Sequence, residues 1–288
     1  GTGEKFGVKI TYIYQDAPKG ISHAIGLCKD FIGDDKFIVY LGDNVLRKNL
    51  IDYTKKFTSS NSDAMILLCE VDEPQRFGVA ELDSDNPGKI KKIIEKPKNP
   101  PSNLAVIGIY FLTPKIFDII DNLKPSWRGE LEITDALDML MNQGNKIEFD
   151  TVTGWWKDTG TPEDILDANK LILETLDTNE LVDSENISNI KISTGKNTQI
   201  NSTTEIIEPV IICDNCIIKD SKIGPYVSVG NNVSISGGKI NNSIIMDDCV
   251  LELKNPRHNS IIGNNSEIID AQNLSHQFLL GEKNKIQL

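Results

Sequence analysis

Residues 36–46, KFIVYLGDNVL, run apolar from Phe37 to Leu41 and stop at Gly42, Asp43 and Asn44. A short continuous apolar run predicts a strand buried on both faces of a sheet. A second run, AMILLCEV (64–71), follows the helical-looking NLIDYTKKFTS (49–59). Upstream, VKITYIY (8–14) is β-branched and aromatic and reads as a strand, and QDAPKG (15–20) reads as a turn. ISHAIGLCKDFIG (21–33) then spaces Ile21, Ala24, Ile25, Leu27 and Cys28 as a helix does. Alternating strand and helix predict an α/β domain with a parallel-rich sheet.

From Phe77 to Leu112 the style changes. FGVAELDS, KIKKIIEKP and LAVIGIYFL read as strands without intervening helices, an antiparallel insertion or substrate-side extension. Helical patterns return in TPKIFDIIDNL (113–123) and in GELEITDALDMLMNQG (129–144), which sets Leu131, Leu137, Leu140 and Met141 on one face. In TPEDILDANKLILETL (161–176), Thr161 before Pro162 makes an N-cap and first-turn pair. The polar stretch after residue 178 reads as a linker. Beyond Lys191 a six-residue beat sets in: Ile200, Ile206, Ile212 and Ile218, then, after a five-residue step, Ile223, Val229 and Ile235. Such a beat predicts a hexapeptide solenoid whose recurring aliphatic residue points into a shared core, interrupted by KNPRHNS (254–260). The domains expected are 1–178, a linker at 179–190, and a solenoid at 191–288. Cys216 falls in the small inward slot of Val210 and Val227, which argues against a metal or redox role for Cys213 and Cys216.

The 288 residues exceed a typical single domain, and 39% hydrophobic with 25% charged residues fits a globular chain without a membrane span. A net charge of −12 argues against non-specific nucleic-acid binding. Five cysteines without a secretory-signal pattern predict a reducing, cytoplasmic compartment. The chain opens at Gly1 with a polar turn, as though an element should precede it.

Asp43 follows a strand, where ligands gather in open α/β sheets, yet Gly-Asp-Asn is equally turn chemistry. Asp158 in WWKDTGTP offers a second strand-end carboxylate; the bland reading is a cap. Two such carboxylates suit Mg²⁺, which takes one or two from protein and fills its octahedron with water and phosphate. Glu95 and Lys96 pair an acceptor for hydroxyls with a cation for phosphate, and Gln15 can read a base edge while Gly20 lets backbone approach a flat ligand. His23, His258 and His276 have no ligand spacing, and no nucleophilic triad is evident.

Taken in order, QDAPKGISHAI, DDKFIVYLGDN, QRFGVAEL, KIIEKPKNP, VIGIYFL, RGELEITD and WWKDTGTPEDILDAN resemble the sugar-1-phosphate nucleotidyltransferases, and most of all the long-form glucose-1-phosphate thymidylyltransferases. The resemblance implies a Rossmann-like nucleotidyltransferase domain followed by a left-handed parallel β-helix. It implies transfer of a nucleotidyl group from a nucleoside triphosphate, dTTP, to a sugar 1-phosphate, glucose 1-phosphate, with release of pyrophosphate. Asp43 and Asp158 would hold Mg²⁺, and Gln15 with the Gly20 backbone would read the pyrimidine. Gly78, Glu95, Gly108 and Tyr110 would position the sugar, and Lys96 would hold its phosphate. The tail would assemble a homo-oligomer.

The departure is at the start. The family opens with a strand and a glycine-rich loop bearing an arginine, then a lysine, and neither is present here. The expectation is an N-terminally incomplete domain, missing its first strand-loop-helix units, with impaired catalysis. Other readings are a UTP- or GTP-using relative, a hexapeptide acyltransferase with His258 or His276 as base, and a non-catalytic regulatory subunit.

Overall fold

Most of the apolar runs condense into a single mixed sheet in a computed structural model that describes residues 1–86, 88–175, 192–270, 279–280 and 285–287. The chain divides into two units, Gly1–Trp156 and Lys157–Leu288. The expected linker and His276 lie outside the described residues.

The first unit holds β1 (Phe37–Tyr40), β2 (Asn44–Leu46), β3 (Ala64–Glu70), β4 (Gly78–Leu82), β5 (Ile90–Glu95), β6 (Leu104–Leu112) and β7 (Ile147–Thr151). Its helices are α1 (Ile21–Gly26), α2 (Lys29–Ile32), α3 (Ile51–Ser59), α4 (Lys115–Ile120) and α5 (Ile133–Asn142). The sheet order is β5-β4-β6-β3-β7, with β1 also paired to β6. Strand β6 is central. Its Val106, Tyr110 and Leu112 join Ala64, Ile66 and Leu68 under α4 and α5, while Ile107, Ile109 and Phe111 pack on the other face with Tyr53 and Phe57 of α3. Burying each such aliphatic side chain contributes about 1.5–3 kcal/mol, so this strand anchors the unit.

Four expectations need correction. The sheet is not parallel-rich: β6 runs antiparallel to β1, β3 and β4, and β4 to β5, leaving β3–β7 as the parallel pair. FIVYL is not buried on both faces; Phe37 and Val39 pack on the core, but Ile38 and Tyr40 are 40% and 45% exposed. The strands buried on both faces are AMILLCE and LAVIGIYFL, and the antiparallel pairing expected for 77–112 is present. VKITYIY forms no strand, because β propensity needs a ladder partner and no described strand pairs with it. The helix expected at 21–33 is two short ones, broken at Leu27 and Cys28.

In the second unit, α6 (Pro162–Thr175) starts as expected, with Asp164 N–H donating to Thr161 Oγ1 at 3.2 Å. The solenoid follows as parallel sheets in the registers the beat implies: Ile200 beside Ile218, Ile206 beside Ile223, Ile212 beside Val229 and Ile218 beside Ile235. This is a parallel β-solenoid, consistent with the left-handed β-helix expected. Its interior is the column of aliphatic residues together with Cys216 and Cys249, both buried. The KNPRHNS interruption puts Arg257 into the slot beside Ile240. No described helix is long and apolar enough to cross a membrane.

Candidate active site

The turn after β1 aims two side chains in opposite directions. Asp43 is exposed, whereas Asn44 is 7% exposed and works as a junction. Its Oδ1 accepts the Gly108 N–H at 3.0 Å and the Trp156 indole N–H at 2.8 Å, and its Nδ2 donates to Asp43 Oδ1 at 2.8 Å. The same turn is closed by the Tyr40 hydroxyl donating to Asn44 O at 2.9 Å. Gly108 is required here, because a Cβ would stand 2.4 Å from Asn44 Nδ2. The ring of Trp156 also meets Phe77 edge-on at 5.4 Å, forming a wall rather than a reactive group.

Two residues along β6 from Gly108, Tyr110 lies opposite Val39 and Ile66, 4% exposed. Burial pushes its phenol well above the ordinary value, and the charges of Glu95 and Asp43 push it the same way, which places those two carboxylates in one neighbourhood. Glu95 ends β5 opposite Gly78. The Thr134 hydroxyl donates to Glu95 Oε2 at 3.0 Å, and a Cβ at Gly78 would lie 2.5 Å from Thr134 Cγ2, so glycine makes room for that bond. Arg128 reaches Glu95 at 3.4 Å, Glu130 at 3.2 Å and Glu132 at 3.4 Å. Lys96 follows at φ 39°, a left-handed conformation that costs a non-glycine residue, with its N–H donating to Phe77 O at 3.1 Å and its side chain exposed.

Burial pushes the Glu95 carboxyl up; the Thr134 hydroxyl opposes this, Glu132 adds to it, and Lys96 and Arg128 oppose it. A carboxyl whose folded pKa exceeds its unfolded value costs stability above both, and that cost fades as pH falls through the folded value. Glu95→Gln is therefore expected to melt no lower than the parent protein at about pH 7, with any gain shrinking toward about pH 4. Thermal denaturation across pH checks this; a variant clearly less stable at neutral pH would mean the Arg128 pair outweighs burial.

Gln15 and Gly20 face a cavity of about 640 Å³ together with Ile13, Ile21, Val39 and Leu41. Gly20, at φ 101°, packs on the backbone of Leu131, where a Cβ would sit 2.5 Å from the carbonyl oxygen. Leu131 N–H donates to Lys19 O at 2.8 Å and Ser22 Oγ to Glu132 O at 3.0 Å, so one loop carries both the Gly20 contact and the carboxylates around Arg128.

The structure thus gathers Gly78, Glu95, Gly108, Tyr110 and Asp43 in the first unit, with Lys96 adjoining Glu95 and Gln15 with Gly20 across the loop of Leu131. Asp158 belongs to the second unit, half-buried at the end of β8 (Trp156–Asp158), the strand whose first residue bonds Asn44. Among the described residues no group of three or more His, Cys, Asp or Glu is assembled for a metal. An exposed carboxylate at Asp43, steadied by an amide, fits a hard cation that needs few protein oxygens, such as Mg²⁺. Asn44, Arg128 and Thr134 were not legible as site residues. The signal for Asn44 was a polar residue closing an apolar run, and for Arg128 its place just before two glutamates, Glu130 and Glu132, in one loop.

A family model described as "Nucleotidyl transferase" matches residues 1–175, and one described as "GMPPB C-terminal domain" matches 206–288. The low-salt glycan biosynthesis nucleotidyltransferase Agl11 of Haloferax volcanii is 41% identical over 294 residues, covering 100% of this chain and 82% of that protein. A glucose-1-phosphate thymidylyltransferase of Streptomyces antibioticus is 37% identical over 293 residues, with the same shares of 100% and 82%. Among solved structures, a Bacillus anthracis protein described as a glucose-1-phosphate thymidylyltransferase, in complex with sucrose, superposes with a TM-score of 0.56 at 44% identity. That match covers 62% of this chain and 70% of the other.

Proposed function

We propose that this chain, which belongs to the nucleotidyl transferase family, joins a nucleoside triphosphate to a sugar 1-phosphate, with dTTP and glucose 1-phosphate as substrates. The observation that carries the reading is the pairing of an exposed, amide-steadied Asp43 with a glycine-lined strand pair ending in Glu95 and Lys96. In this reading Gln15 and Gly20 take the base in the cavity they face. Glu95 accepts sugar hydroxyls, Gly78 and Gly108 let the ring lie against backbone, and Tyr110 backs it. Lys96 holds the phosphate whose oxygen attacks the α-phosphorus, displacing pyrophosphate. Asp43 and Asp158 would hold Mg²⁺, which would neutralise triphosphate charge. No covalent intermediate is required, so positioning and charge neutralisation carry the rate. Residues 1–178 carry the reaction, and 191–288 assemble copies of the chain in the cytoplasm.

One methyl group distinguishes dTTP from UTP, a difference worth only about 1–3 kcal/mol in a pocket, so uridylyl transfer is the second reading. Single-turnover incubation with the protein in excess tests both. Glucose 1-phosphate, Mg²⁺ and each triphosphate in turn are expected to yield pyrophosphate and nucleotide sugar in equal amounts, most with dTTP. Pyrophosphate without nucleotide sugar would sink the assignment, and a UTP preference would replace dTTP.

A further inference from the structure

We infer that His23 is a specificity-determining positioning residue, which fixes the Gln15 amide so that only its acceptor oxygen is left for a ligand. That selects a ring carrying an N–H at the contacted position, thymine or uracil, over cytosine. The inference rests on the reading of Gln15 and Gly20 as the base site.

Gln15 Nε2 lies 2.9 Å from His23 Nδ1 and 3.4 Å from the Gly20 carbonyl oxygen. A carbonyl oxygen can only accept, so the amide group facing it is the nitrogen; the flipped amide would set two acceptors against each other. With the nitrogen there, one N–H points to Gly20 O and the other to His23 Nδ1. Nδ1 therefore accepts, and the imidazole carries its proton on Nε2. A primary amide has two N–H donors and both are used. Oε1 is what remains, and among the described residues it has no hydrogen-bond partner.

The geometry holding these groups is local and stiff. Gln15 and His23 are eight residues apart, bridged by the turn in which Lys19 Nζ donates to Asp16 Oδ2 at 2.8 Å. Gly20 caps the start of α1, which carries His23, in a conformation suited to glycine, and is pressed against Leu131. Both Gln15 and Gly20 line the same cavity. A keto pyrimidine presents an N3–H donor to Oε1. Cytosine presents a bare N3 acceptor at that position, leaving two acceptors face to face, and a site built on one hydrogen bond rejects a ring that cannot make it.

Equilibrium binding of dTTP, UTP and dCTP to the chain, with Mg²⁺ present, tests this. The parent protein is expected to bind dTTP and UTP at least about tenfold more tightly than dCTP. His23→Ala frees the amide to rotate and should bring the three within about threefold of one another, at an unchanged melting temperature. His23→Gln supplies an acceptor in place of Nδ1 and should restore discrimination. An unchanged ratio in His23→Ala overturns the inference, as does an equal loss for all three nucleotides, the signature of a structural role. Gln15→Ala separates the two levels: if it leaves binding of all three unchanged, the base lies elsewhere and the underlying site reading fails, whatever His23 does. Absence of binding by the parent chain overturns both.

Discussion

Asp43→Asn is expected to leave the fold intact and to remove the Mg²⁺-dependent part of triphosphate binding. The substitution is isosteric, and an asparagine oxygen at position 43 can still accept the 2.8 Å bond from Asn44 Nδ2, so the turn keeps its shape. What disappears is the formal charge that favours a dication over water. The affinity gained on adding Mg²⁺, measured by titration calorimetry against a chelated control, should fall by at least about 10- to 100-fold, the loss typical even of removing a partner of a metal ligand. Asn44→Ala makes the contrast. It leaves the Gly108 N–H and the Trp156 indole N–H without their acceptor, each about 1–3 kcal/mol if left buried and unpaired, so it should lower both stability and Mg²⁺ dependence. Full Mg²⁺ dependence in Asp43→Asn would remove this residue from the metal site.

That contrast marks where sequence reading reached and where it stopped. Asp43 and Glu95 could be picked out because charged residues stand there at strand ends, whereas Gly78 and Gly108 followed only from the family resemblance, and composition gave no reason for them. For the two glycines the reason is steric: a Cβ would meet Thr134 or Asn44. The solenoid was legible because its period is written directly into the order of aliphatic residues and reappears as register. Asn44 was not legible as a junction because its partners are 64 and 112 residues away. Arg128 meets Glu95 across 33 residues, and only folding makes that contact. VKITYIY failed in the opposite way. Its composition is that of a strand, but Val8, Tyr12 and Tyr14 are 54%, 74% and 86% exposed, because residue preference cannot substitute for a neighbour in the ladder. The same limit misplaced FIVYL, whose apolar composition says nothing about how many of its faces are covered.

Asp270→Asn should be the most destabilising single change in the solenoid. The aliphatic column runs through Ile206, Ile223 and Ile240 and then meets Arg257, fully buried, in the next register position. Its guanidinium bonds Asp270 Oδ1, and Nη1 donates to Pro256 O at 3.2 Å. Asp270 Oδ2 in turn accepts the backbone N–H groups of Lys254 and Asn255 at 3.1 and 3.0 Å, so one carboxylate both neutralises the arginine and ties down the insert. Burial pulls the Arg257 pKa down while the Asp270 charge holds it up, the balance expected of a dry ion pair. Removing one partner strands the other charge, a cost of about 3–5 kcal/mol, whereas replacing both with apolar or neutral groups is often neutral or better. Asp270→Asn should therefore lower the urea midpoint of the solenoid steeply. Adding Arg257→Ile, which restores the aliphatic column, should recover most of the loss, and the double-mutant cycle should give a coupling energy of at least about 2 kcal/mol. A cost below about 1 kcal/mol for Asp270→Asn alone would mean that water reaches the pair. In that case the column, rather than the ion pair, would be what holds this part of the solenoid together.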